Sequence, residues 1–70
     1  MTELHRRTLD FILQFWARAG YAPSYEDIRL GIGVKSKSSV HSLLSRMSSR
    51  GLITMLPRKA RSIKVVQNLD

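Results

Sequence analysis

The chain has no cysteine, two prolines, five aromatic rings and only five acidic residues among seventy positions. Without Cys there is no disulfide and no thiolate metal site, and the redox state of the compartment has little to act on. His5 and His41 are the only imidazoles, and they stand far apart with no clustered partners, so neither metal nor cofactor is expected. No apolar run approaches the roughly 20 residues that a membrane span requires. The polar start, Met1 to Arg7, has no secretory pattern, which argues for a cytoplasmic protein with no membrane partner. Seventy residues leave room for one hydrophobic core. An apolar content of 43% suits a small helical core and is too high for a disordered tail.

What is abundant is positive charge. The formal net charge is +7, which calls for a polyanionic partner, nucleic acid before anionic membrane. The distribution is uneven. Up to Ile28, Arg6, Arg7 and Arg18 are balanced by Glu3, Asp10, Glu26 and Asp27. Beyond it come Arg29, Lys35, Lys37, Arg46, Arg50, Arg58, Lys59, Arg61 and Lys64, opposed only by Asp70. The first half reads as scaffold and the second as an electrostatic footprint. A merely solubilising surface would not need that asymmetry.

Leu4, Phe11, Ile12, Phe15, Trp16 and Ala19 recur at helical spacing from Thr2 to Ala19. Thr2 is a candidate N-cap and Gly20 a candidate left-handed stop. The aromatic cluster is expected inside, because so small a domain needs those rings in its core. Pro23 breaks the pattern. Ser24 then caps a short second helix with acidic residues in its first turn, where the helix dipole favours them. Ile28 and Ile32 point inward, Gly31 is a weak point, and Gly33 ends the helix. Ser36 caps a third helix from Lys37 to Arg50, stopped by Gly51. Its inner stripe is Val40, Leu43, Leu44 and Met47. The opposite face centres on Ser38, Ser42, Ser45 and Ser49, flanked by His41 and Arg46. Two β-prone runs follow, Leu52 to Leu56 and Ser62 to Val66, joined by the basic turn Pro57 to Arg61. The whole predicts a mainly α domain with a small β-hairpin over residues 1–66, a three-helix winged helix-turn-helix. Residues 67–70 read as a frayed tail or the start of a linker.

Such a third helix has the properties that a major-groove reader needs, with a polar, compact outward face between cations. Lys35 and Lys37 sit at its start, where backbone N–H groups also favour phosphate. Arg46 and Arg50 lie towards its end, and Arg58, Lys59 and Arg61 belong to the hairpin. Serine alone discriminates bases poorly, and His41 is the larger directional group among them. Asp10, Glu26 and Asp27 serve as helix-surface or first-turn charges, and no nucleophile–base pair suggests an enzyme. The competing reading is a winged helix whose basic face binds RNA or an acidic protein.

Gly20-Tyr21-Ala22-Pro23-Ser24, Asp27-Ile28, Ile32-Gly33-Val34-Lys35-Ser36, Arg50-Gly51-Leu52-Ile53 and Ala60-Arg61-Ser62-Ile63 occur in an order and spacing that resemble one family. It is the N-terminal DNA-binding domain of the LexA repressors, regulators of the bacterial SOS response. The similarity runs without gaps over nearly the whole chain. It implies a double-stranded operator as partner, with the third helix in the major groove. It also implies base contacts from Ser36, Ser38, Ser39, His41 and Ser42. Many members carry Asn, Ala and a pair of Glu across this stretch, so their operator sequence does not transfer to this chain. The family also has a second domain with a Ser-Lys self-cleavage pair, through which it dimerises. Nothing after Val66 supplies one. An isolated domain of a longer protein and a short relative both fit, with the domain largely monomeric alone and paired on half-sites.

Overall fold

The computed structural model of the chain describes residues 2–56, 59 and 61–66. Three helices, α1 (Glu3–Ala19), α2 (Tyr25–Ile32) and α3 (Lys37–Ser49), precede a two-stranded antiparallel hairpin, β1 (Ile53–Thr54) and β2 (Lys64–Val65). This is the winged helix-turn-helix order, and each helix start is written locally. The Thr2 hydroxyl accepts the His5 N–H at 3.2 Å. Ser24 and Asp27 form a reciprocal capping box, with bonds of 3.1 and 2.9 Å. At α3 the Ser36 hydroxyl accepts the Ser39 N–H. The end of α3 is a Schellman turn: Gly51 takes φ 76°, and Leu52 N–H returns to the Met47 carbonyl at 2.9 Å.

Ile12, Ile28, Ile32, Val40, Leu43, Leu44, Met47, Ile53 and Ile63 form the core. Helix α2 is sandwiched between α1 and α3, while β1 packs on α3 and β2 on α1. The hairpin therefore closes the core with one isoleucine from each side of its turn. Its strands are shorter than the apolar runs predict. Ile53 pairs with Val65 and Thr54 with Lys64. Beyond Thr54 the Ser62 side chain takes over, accepting the Leu56 N–H at 2.9 Å and donating to the Leu56 carbonyl at 3.2 Å. Arg61, at φ 55°, turns the backbone away from strand geometry at that point.

Helix α1 presents a different face from the one expected. Ile12 is buried, Phe11, Phe15 and Ala19 are half-buried, and Trp16 remains 39% exposed. Leu4 is exposed too, and the buried places near the start belong to His5 and Thr8. The stripe His5, Thr8, Ile12, Phe15, Ala19 keeps helical spacing, but two of its members are polar. Thr8 is tolerated because its hydroxyl donates to the Leu4 carbonyl at 2.7 Å. The aromatic cluster is accordingly a flank of the core. Phe11, Phe15 and Tyr21 form a line, with ring centroids 5.9 and 5.8 Å apart, that runs out to a half-exposed Tyr21.

Gly31, costly on helix propensity, has a packing reason to be there. A Cβ at that position would collide with the Phe11 ring, so the absent side chain is what lets α1 approach α2. The apolar side chains are also less fully committed than their periodicity suggests. Leu13 on α1, Leu30 on α2 and Leu56 on the hairpin all stand exposed, Leu30 by 65%.

Candidate nucleic-acid interface

Because Val40, Leu43, Leu44 and Met47 anchor one side of α3, the opposite side is fixed outward. Ser38, Ser39, His41, Ser42 and Arg46 are exposed along it, as is the cap Ser36. Ser45 is half-buried, so the serine face is narrower than its spacing implies. Two of these hydroxyls are already engaged, since Ser36 Oγ lies 3.2 Å from Ser39 Oγ while capping the helix. Among the described residues, Ser38 and Ser42 make no side-chain hydrogen bond and keep both donor and acceptor capacity. Beside them, an open groove of about 360 Å³ is lined by Ser38, Ser39, Ser42 and Arg46 together with Leu4, Val34 and Leu43.

His41 is steadied from the neighbouring helix, a relation that its sequence position does not announce. Its ring centroid lies 6.0 Å from that of Tyr25, and the Tyr25 hydroxyl reaches Met55 Sδ at 3.6 Å. Tyr25 thus links α3, α2 and the hairpin. It was legible in the sequence only as a first-turn residue.

The cations divide into two groups. Lys35, Lys37, Arg46, Arg50 and Lys59 are exposed, and none forms an ion pair among the described residues. Arg29 and Arg61 instead pair with acids of the same chain, although the Arg61 side chain stays 42% exposed. Glu26 grips Arg29 with two hydrogen bonds of 2.8 and 2.7 Å, which hold the Glu26 carboxyl below its usual range. Arg61, expected to be a free hairpin cation, sends Nη1 to both the Ala22 carbonyl and Asp27 Oδ2, each at 3.0 Å. Its guanidinium also lies 4.7 Å from the centroid of the Tyr21 ring. Asp27 is held below the usual carboxylate range chiefly by the Ser24 backbone N–H, with Arg61 assisting. Arg58 lies outside the described residues. Two acids of the first half thus pair with two arginines of the second. The other described cations beyond Ile28 stand at the two ends of α3 and on the hairpin. Arg6, Arg7 and Arg18 on α1 are exposed and without an ion pair among the described residues as well.

His5 sits behind this surface. It is 5% exposed, and Nδ1 has no partner among the described residues. Burial foremost, and then the charge of Arg50, push its pKa below the ordinary 6.5. No group of three or more His, Cys, Asp or Glu among the described residues has the geometry to hold a metal. No described helix is long and apolar enough to cross a membrane.

The family model for the LexA DNA binding domain matches residues 1–62. Among similar proteins, the LexA repressor of Acetivibrio thermocellus is 38% identical over 97% of this chain and 32% of its own length. That of Bacillus licheniformis is 41% identical over 94% of this chain and 33% of its own. For the LexA repressor of Novosphingobium aromaticivorans the figures are 36%, 100% and 30%. The chain spans about a third of the length of these relatives. The matched stretch includes the capped helices, the exposed face of α3 and β1 but ends before β2, and the chain belongs to the LexA DNA-binding domain family.

Proposed function

We propose that this chain reads duplex DNA as the DNA-binding part of a transcriptional repressor, with α3 in the major groove. The observation that carries this is the exposed polar face of α3 bounded at both ends by cations without ion pairs. A groove about 12 Å wide admits one helix, and phosphates line both its edges. Ser36, Ser38, Ser39, His41 and Ser42 face the bases. Lys35 and Lys37 meet phosphate at the start of α3, where the backbone N–H groups add to the attraction. Arg46 and Arg50 do so at its other end, with Arg58 and Lys59 of the hairpin on the backbone beyond. Residues 1–66 form the working unit. Residues 67–70, read as a frayed tail or the start of a linker, lie outside the described residues. No reaction, metal or cofactor is assigned to it.

The test is a salt titration of binding to duplex DNA, single strands and RNA. About five phosphate contacts give a slope of about −4 to −5 in log affinity against log salt. That slope is expected on the duplex, together with tighter binding to a selected sequence than to random duplex. A nearly flat slope, or stronger binding to RNA, would overturn the assignment.

A further inference from the structure

We propose that Arg61 is a positioning residue that holds the hairpin against α2, ready for DNA, and not a phosphate contact itself. The proposal rests on the DNA reading above and takes Arg61 out of the hairpin cations that the sequence offers for phosphate. Three contacts from the α1–α2 turn and the start of α2 converge on this guanidinium. One nitrogen donates to the Ala22 carbonyl and to Asp27 Oδ2, and the face lies over Tyr21. Ala22 and Tyr21 belong to the α1–α2 turn and Asp27 to the first turn of α2, more than thirty positions away in the sequence. Asp27 is itself fixed by the capping box, so the acceptor is rigid before Arg61 arrives.

The backbone points the same way. Arg61 is the only described non-glycine residue at positive φ, 55°. A side chain with a Cβ avoids that region unless its surroundings hold it there. Ser62 follows immediately and closes the turn onto Leu56 through two hydrogen bonds. The Arg61 contacts and the Ser62 clasp therefore fix adjacent residues at the foot of the basic turn. The strands beyond are two residues each, too short to set that direction alone.

The consequence for binding is preorganisation. A hairpin that samples many directions binds with an affinity reduced by the fraction of time it spends in the competent one. Ordering it on contact costs further. Held by Arg61, Lys59 arrives at the duplex already placed. A free phosphate-binding arginine would act independently of Lys59, whereas a positioning arginine makes the worth of Lys59 conditional on itself.

The experiment uses the 70-residue chain and the duplex that the wild-type protein selects from a random library. Affinities are measured for wild type, Arg61→Gln, Lys59→Ala, their double variant, and Tyr21→Leu. Tyr21 carries no charge and is half-exposed, and Leu keeps an apolar contact with Phe15. Its substitution tests the Arg61 contact without threatening the fold. In the free protein, amide exchange is followed at Leu56 in the hairpin and at Leu44 in the core. Positioning predicts that the Lys59→Ala effect shrinks to less than about half in the Arg61→Gln background. It also predicts that Tyr21→Leu weakens binding about two- to fivefold, the size of an exposed cation–π contact. Tyr21→Leu should further speed Leu56 exchange while leaving Leu44 unchanged. Multiplying effects of Arg61→Gln and Lys59→Ala, with a silent Tyr21→Leu, would overturn the proposal and return Arg61 to the phosphate contacts while the DNA reading stands. A wild-type protein that binds no duplex would overturn the DNA reading, and this role with it.

Discussion

His41 is the largest directional hydrogen-bonding group on the outer face of the first half of α3, and Tyr25 beside it limits where its ring can point. His41→Ala should therefore relax base preference at one or two positions, costing about 1–3 kcal/mol there. Lys59→Ala should instead weaken all duplexes about equally, as loss of a phosphate contact does. Affinities across a set of single-base changes separate the two. A His41→Ala profile that only scales down uniformly removes His41 from the base-reading set. A second residue-scale expectation concerns His5. Its folded-state pKa lies below the ordinary 6.5, so as pH falls the unfolded chain takes the proton first. Stability is then full above about pH 6.5 and declines as the solution is acidified below it. Asp27, whose pKa is also lowered, adds stability that is present above its ordinary 3.8 and is lost only as pH falls through its lower folded value. Thermal melts between neutral and mildly acidic pH should show the upper decline in wild type and not in His5→Leu. An identical profile in both would mean that His5 is not held neutral. Neither burial nor pKa was readable from the residue itself, since His5 lies in a polar stretch of the sequence.

At the scale of elements, most of the architecture was legible. Thr2, Ser24, Ser36, Gly20, Gly33 and Gly51 stand where the helices begin and end, because caps and left-handed stops are satisfied by bonds within a few residues. The inner stripe of α3 was equally plain, all four members being apolar and buried. The faces of α1 were not, because periodicity weighs residue type and cannot see that a threonine satisfies itself on its own helix. Gly31 shows the same limit. Helix propensity predicts that Gly31→Ala gains about 1 kcal/mol. The Phe11 ring occupying that space predicts overpacking, at about 1–3 kcal/mol of loss. The expected outcome is net destabilisation in urea unfolding, relieved when Phe11→Leu is added. A Gly31→Ala protein more stable than wild type would show that the α1–α2 contact gives way easily.

For the molecule as a whole, charge and exposed apolar surface decide how it meets partners and copies of itself. The exposed leucines are carried by three different elements, and the residues that are most deeply buried belong to the chain's own core. The isolated chain should accordingly sediment as a monomer at micromolar concentration and fill paired half-sites as two copies. A flexible tether between two copies should raise affinity for paired sites through effective concentration, by about a hundredfold or more where the spacing permits. A tight dimer in the absence of DNA would contradict this reading of the surface.

The sequence by itself determined the three capped helices, the β-prone runs, the buried stripe of α3 and the excess of cations after Ile28. All of these follow from short-range bonding, periodicity and counting. It also carried the motifs by which the family is recognised. The tertiary structure alone decided which cations remain unpaired, since Arg61 meets Asp27 and Tyr21 only when the hairpin folds back on α2. It likewise decided that His41 leans on Tyr25, that Gly31 makes room for Phe11, and that His5 is buried. The physical reason is shared. A cap or a stripe depends on neighbours within about one or two helical turns. The partners of a guanidinium, a ring or an absent Cβ are set by elements that the chain brings together only in three dimensions.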